Sequence, residues 1–167
     1  YITGSFVVAG VSAYHLWRRQ HVEVARKGFS LAMGAALVLV PLQLVIGDAH
    51  GRNTMRHQPT KLAAMESLWD SGSGVPATLI AWPDMAAERN RFEIAIPHAA
   101  SLYLTHSWNG YVQGLKAVPA AERPYVPLVF FAFRIMVGIG IVLLILAIIG
   151  GVLRWRGRLF TCLLYTS

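Results

Sequence analysis

An arginine inside an otherwise apolar run is the sharpest chemical feature of this sequence. Arg134 lies about nine residues into VPLVFFAFRIMVGIGIVLLILAIIGGVL (126–153), roughly 12 Å along the helix that such a run must form. A guanidinium cannot shed its charge, so at that depth it requires water, an anion, or a snorkelling path to the headgroups. A buried anion is the functional reading, and a haem propionate is one candidate. Met136 follows two residues later. A methionine in an apolar helix is ordinarily packing material, but its thioether is also an axial ligand for a low-spin haem, where pairing with histidine raises the potential of the iron. Two residues turn the helix by about 200°, so Arg134 and Met136 do not share a face.

A second set of chemically able residues lies in QPTKLAAME (58–66). Gln58 precedes a helix, Lys61 occupies its first turn and Glu66 lies one to two turns on. One reading is a site for a quinol head group, whose oxidation releases two protons with the electrons and so needs a proton acceptor and donors to the ring oxygens. Glu66 suits the first task, Lys61 and Gln58 the second. The plain alternative is a solvated amphipathic helix. A simple i,i+4 ion pair does not explain Lys61 and Glu66, which stand five apart, about 140° around the helix. His50 and His57, and likewise His98 and His106, lack accompanying acids at metal-binding spacing. His15 reads as an interfacial histidine beside Trp17 and Arg18. A lone Cys162 leaves no intrachain disulfide or CxxC pair. GSG at 72–74 lacks the strand and helix of a phosphate loop, and no Ser-His-Asp arrangement is present, which weakens hydrolase and nucleotide-dependent readings.

The elements that must position these groups are apolar. Hydrophobic residues make up 55% of the 167 residues, charged residues only 14%, and the mean hydropathy is +0.49, which excludes an ordinary soluble domain. The net charge of +7 borders apolar runs instead of forming a soluble basic patch, so nucleic acid is not the expected partner. Three spans are predicted: 1–17, slightly short of the roughly 20 residues that cross a bilayer; 29–47, in which neighbouring helices can tolerate Pro41; and 126–153. The short first run, with no initiating Met and no signal-peptide pattern, is expected to be a transmembrane helix cut part-way. The connector 18–28 carries Arg18, Arg19, Arg26 and Lys27 against Glu23, and the tail 154–167 opens with Arg154, Arg156 and Arg158. The positive-inside rule places both on the cytoplasmic side. Residues 48–125, with seven basic and seven acidic residues, then form a long external loop. Turns are expected at DSGSGVP and AWPD and helices at 59–69 and 99–116, the latter with Leu102, Tyr103, Trp108, Val112 and Leu115 along a face for membrane or partner. The fold class is thus an all-α membrane protein: three transmembrane helices of a larger helical bundle plus a long external loop with short helices.

In order along the chain, GSFVVAGVSAYHL, GDAHGR, QPTKLAAMESLW, IPHAASL and FAFRIMVGIG resemble subunit I of cytochrome bd-type quinol oxidases, over residues 2 to 160. The specificity lies in the ordered combination, since each string alone is weak. The resemblance implies that residues 48–125 are the periplasmic quinol-binding loop, in its short, cyanide-insensitive form. Lys61 and Glu66 take the positions of the catalytic, quinol-interacting lysine and glutamate, and Gln58 a neighbouring position. Met136 would be an axial ligand of the low-spin haem b iron, and Arg134 would support that haem.

The resemblance further implies a multi-pass protein of the bacterial inner membrane. With subunit II, and with or without a small accessory subunit, it would oxidise quinol outside and reduce O2 to water. A second haem b and haem d are expected in the intact subunit on ligands outside this stretch, and the second axial ligand of the Met136 haem is expected just upstream of Tyr1. The closing TCLLYTS does not continue the family pattern, and the fragment is expected to be inactive by itself. Two other readings stand beside this one: a transporter or channel fragment in which Arg134 binds an anionic solute, and a haem-free assembly subunit whose loop docks a partner.

Overall fold

The computed structural model describes residues 1–160; the TCLLYTS segment and Cys162 lie outside the described residues. The chain runs through helix α1 (Ile2–Trp17), helix α2 (Val22–His57), helix α3 (Pro59–Glu66), strands β1 (Gly72–Ser73), β2 (Ala77–Asp84) and β3 (Arg89–Ile96), helix α4 (Ala99–Thr105), strand β4 (Tyr111–Val112) and helix α5 (Val126–Trp155). Two short 3-10 turns, Leu115–Ala117 and Ala120–Glu122, lead into α5. The chain forms two compact units, one of Tyr1–Val45 with the described residues from Ile139 onward, the other of Ile46–Gly138.

In the first unit, α1 packs with the N-terminal part of α2 and the C-terminal part of α5. Ala9, Ala32 and Met33 form one buried cluster, and Ala36, Val40 and Ala147 another, with Ile2, Phe6 and Leu144 against it. Small residues make this close approach possible: a Cβ on Gly150 would stand 2.2 Å from the Met33 terminal methyl. Both α2, 36 residues long, and α5, 30 residues long, are long and apolar enough to cross a membrane. With 16 residues, α1 falls short of the roughly 20 that a crossing needs. Two candidate spans stand where three were expected.

Helix α2 also extends beyond the expected 29–47 in both directions. The break before it is confined to a few residues at which Arg19 and His21 adopt left-handed backbone, with φ of 54° and 49°. At the far end the helix continues through GDAHGRNTMRH because its polar side chains support it locally. Asp48 pairs with Arg52 at 3.1 Å, the Thr54 hydroxyl donates to the His50 carbonyl at 3.0 Å, and His57 Nδ1 lies 3.0 Å from the Asn53 carbonyl. Pro41 sits inside the helix without ending it.

The second unit corrects the all-α expectation. AWPD is not a turn but the end of β2, which pairs antiparallel with β3 in the register Ala77↔Ile96, Thr78↔Ala95, Ile80↔Ile94 and Trp82↔Arg91. Ile94 and Ile96 alternate along β3 as a strand requires, and the register shifts between Ile80 and Trp82, where Phe92 turns left-handed at φ 50°. β1 pairs antiparallel with β4, Gly72 opposite Val112. The helix expected over 99–116 ends at Thr105, where His106 turns left-handed at φ 57°. Its expected apolar face is accordingly divided: Leu102, Tyr103 and Trp108 are exposed, while Val112 and Leu115 enter the core. That core also holds Leu62, Ala63, Ala64, Leu68, Trp69, Val75, Ala77, Ala100, Leu104 and Val126. The segment between α2 and α5 is therefore a folded layer built on α3.

Candidate functional site: a buried carboxylate on an intrahelical arginine

Helix α3 begins with Pro59 at its first positions, where the missing N–H costs nothing. Its apolar side, Leu62, Ala63 and Ala64, faces the core. Glu66 is the last helical residue, and Ser67 closes the helix in left-handed backbone, φ 54° and ψ 40°. That sharp ending sends the Glu66 carboxylate inward, to 2% exposure, where its Oε2 accepts a hydrogen bond from Arg134 Nη2 at 2.6 Å. The guanidinium carbon also lies 5.0 Å from the Phe130 ring centre and 5.6 Å from that of Phe133, so aromatic faces shield the pair from water. Arg134 Nε is buried and has no hydrogen-bond partner.

Tyr103, on α4, bears on the same pair. Burial raises its phenol pKa above the usual value, and the charge and hydrogen bond of Glu66 add to that effect, against a smaller opposing influence of Arg134. The neutral phenol is therefore held as a donor to the carboxylate. In the sequence Tyr103 shows only as part of an aromatic stripe; no local pattern marks it as a neighbour of Glu66.

The other predicted residues do not join this cluster. Lys61 is exposed and makes no ion pair among the described residues. Gln58 is exposed at the N-cap of α3 and makes no capping bond with its side chain. Met136 is 58% exposed on α5, its thioether not consumed by the core of the unit. Of the five residues, the fold brings Glu66 and Arg134 together, leaves Gln58 and Lys61 on the outer surface of α3 and leaves Met136 free on its helix. Arg134 is thus engaged by the loop carboxylate through one nitrogen while another donor remains unspent.

The histidines serve local ends. His106 Nε2 lies 3.0 Å from Asp48 Oδ1, and His98 stacks on Trp108 with ring centres 5.0 Å apart. The Nδ1 of His15 is buried without a partner. No group of three or more metal-ligating side chains occurs among the described residues.

Two long apolar helices, the folded segment that joins them in sequence and the buried Glu66–Arg134 pair of the second unit are the features of a helical membrane protein. Comparison with known proteins makes this specific. The family model described as cytochrome bd terminal oxidase subunit I matches residues 1–167, and the chain belongs to that family. It is 37% identical over 166 residues to the cytochrome bd ubiquinol oxidase subunit 1 of Bacillus subtilis, covering 93% of this chain and 35% of that protein. To the cytochrome bd-II ubiquinol oxidase subunit 1 of Escherichia coli it is 35% identical over 127 residues, covering 74% of this chain and 24% of that protein. The solved structure of bd oxidase from Geobacillus thermodenitrificans superposes with a TM-score of 0.83 at 29% identity, covering 98% of this chain and 39% of that one. The chain thus spans about a third of the length of these relatives. Membership implies haem cofactors and a bacterial membrane, and it leaves the transporter or channel reading without support.

Proposed function

We propose that this chain is the quinol-oxidising segment of a respiratory terminal oxidase subunit that oxidises quinol at the periplasmic side and reduces O2 to water. The observation that carries the proposal is the Glu66–Arg134 pair, which ties the external layer to an apolar helix through a buried charge. A carboxylate side chain can accept a quinol proton once the ring hydroxyl comes within reach. Lys61 and Gln58, one turn apart on the exposed side of α3, are available to bind the ring oxygens. Tyr103 and Arg134 hold Glu66 in place while the proton arrives.

Two groups on α5 would serve a haem b: Met136, whose thioether is accessible, would ligate the iron, and Arg134, on another face of the helix, would have to turn its buried Nε outward to donate to a propionate. Such a haem, when bound, supplies an acceptor for single electrons close to the quinol site. The intact subunit would add a further haem b and haem d on ligands elsewhere, a subunit II and room for a small accessory subunit. The basic clusters at 18–28 and 154–158 support cytoplasmic placement of both, and hence three crossings, 1–17, 29–47 and 126–153, of the bacterial inner membrane with 48–125 outside as the quinol-binding loop.

The test is made in the intact oxidase. Glu66→Gln is expected to depress quinol-driven O2 consumption by about a hundredfold, the usual weight of a general base, and Lys61→Ala to depress it through weaker quinol binding. The rate with a small one-electron donor that bypasses the quinol should hold. Met136→Leu should abolish the low-spin haem signal. Wild-type quinol turnover in both loop variants would remove the site, and an unchanged haem spectrum would remove Met136 as ligand.

A further inference from the structure

The position of Glu66 depends on the residue after it, and that residue is held from another element. Ser67 adopts left-handed backbone, which a residue with a Cβ does not favour, and it is only 1% exposed. The turn is clasped by Asn90, the second residue of β3. Asn90 Oδ1 accepts from the Ser67 hydroxyl at 2.6 Å and from the Trp69 indole N–H at 2.9 Å, while its Nδ2 donates to the Ser67 carbonyl at 3.0 Å. The indole can only donate, so the amide orientation is fixed: its oxygen must face Trp69 and its nitrogen the Ser67 carbonyl. Only a primary amide offers two acceptor sites and a donor in this arrangement. A carboxylate would keep two of the three bonds, and an aliphatic side chain none.

Within the second unit this clasp is the polar tie that joins the end of α3 to the β2–β3 hairpin. Ser67 N–H closes the helix on the Ala64 carbonyl at 3.3 Å and Leu68 N–H on that of Ala63 at 2.9 Å. With the turn fixed, the Glu66 backbone has one orientation, which sets its carboxylate on Arg134 with Tyr103 beside it. Arg134 is its charged partner and Tyr103 a titratable neighbour. Without the clasp the αL turn would rest on those two backbone bonds, and the carboxylate would be less firmly set on the guanidinium.

We infer that Asn90 is a positioning residue of the quinol-oxidising site, acting through the Ser67 turn on Glu66. This rests on the proposal that Glu66 serves quinol oxidation. Asn90 itself does not meet the substrate; it selects the Glu66 geometry.

A double-mutant cycle in the intact, haem-loaded oxidase tests this, with kcat and KM for quinol measured separately in the wild type, Asn90→Leu, Glu66→Gln and the double variant. Asn90→Leu is expected to lower kcat by about tenfold or more, as a small misplacement of a reacting group does, with unchanged O2 consumption from the bypass donor and an unchanged haem spectrum. Asn90→Asp, which keeps the acceptor bonds, should fall between and guards against failure of the leucine variant to assemble. In the Glu66→Gln background, Asn90→Leu should alter the residual rate by less than about twofold, whereas independent effects would multiply. A full repeat of the Asn90→Leu loss in that background, an equal loss with the bypass donor, or no loss in either Asn90 variant overturns the inference while leaving Glu66 in its role. Wild-type turnover in Glu66→Gln overturns the underlying site and the inference with it.

Discussion

Glu66 Oε2 and Arg134 Nη2 lie 2.6 Å apart although 68 positions separate them in sequence. One is the last residue of the short helix α3, the other a cation on an apolar helix, and each supplies what the other lacks. Removal of either leaves an uncompensated charge out of water.

Arg134→Met should therefore destabilise the intact oxidase by about 3–5 kcal/mol, the usual consequence of breaking a buried pair from one side. Because a matched apolar pair removes both charges, Arg134→Met with Glu66→Leu should recover much of that loss. Thermal unfolding of the detergent-solubilised enzyme reads both, and a single variant as stable as the wild type would show that the pair contributes nothing.

Tyr103→Phe removes the hydroxyl donor while keeping the ring. Since the raised phenol pKa keeps the group neutral, its contribution is fully present below the ordinary phenol value of about 10 and is lost only as pH rises towards the folded value. The stability difference between Tyr103→Phe and the wild type should accordingly be constant across the neutral range and shrink in strong alkali. A difference that varied between pH values near neutrality would contradict this assignment.

Asp84 organises the β2–β3 turn. Its Oδ1 accepts from the Ala86 and Ala87 N–H groups, both at 3.0 Å, and its Oδ2 pairs with Arg91 at 2.6 Å. The Ala87 N–H contributes most to a pKa below the usual 3.8, with Ala86 and Arg91 helping against a partial loss of hydration. A depressed carboxylate pKa means stabilisation that is present above about 3.8 and lost as pH falls through the folded value. Hydrogen exchange in the hairpin should be faster in Asp84→Ala than in the wild type near neutrality, and the two should converge in acid.

Gly114 is the tightest backbone approach in the second unit. A Cβ there would stand 2.5 Å from the Asp70 carbonyl carbon and 2.6 Å from the Trp69 oxygen, and the backbone cannot retreat without breaking Leu115 N–H to Leu68 O at 2.9 Å and Lys116 N–H to Trp69 O at 3.0 Å. Gly114→Ala should destabilise by about 1–3 kcal/mol, as overpacking does. Gly72→Ala, where nothing lies within 4 Å, is the neutral control in the same unfolding measurement.

Much of this architecture is legible in the chain. The runs of α2 and α5 announce themselves because a bilayer demands continuous apolar length, and Pro59 and the QPTKLAAME pattern place α3. The polar extension of α2 is not legible by the same rule, since GDAHGR carries glycines and charges that ordinarily read as a loop; local bonds such as Asp48–Arg52 and Thr54–His50 keep it helical. The hairpin is partly legible in the alternation Phe92, Ile94, Ile96, but AWPD imitates a turn, and Pro83 is admitted because a two-stranded ribbon consists of edges.

The same division holds for the site. Sequence alone determined that Arg134 needs an anion, water or a path to the headgroups, because a permanent charge in an apolar helix is costly without one of them, and it determined that Glu66 is chemically able to take a proton. Only the tertiary structure decided that these two demands meet each other, that Tyr103 joins them, and that Asn90 secures the turn between them. Helical periodicity and charge act over a few residues, whereas these contacts are fixed by how a left-handed turn, a hairpin and an apolar helix close around one carboxylate.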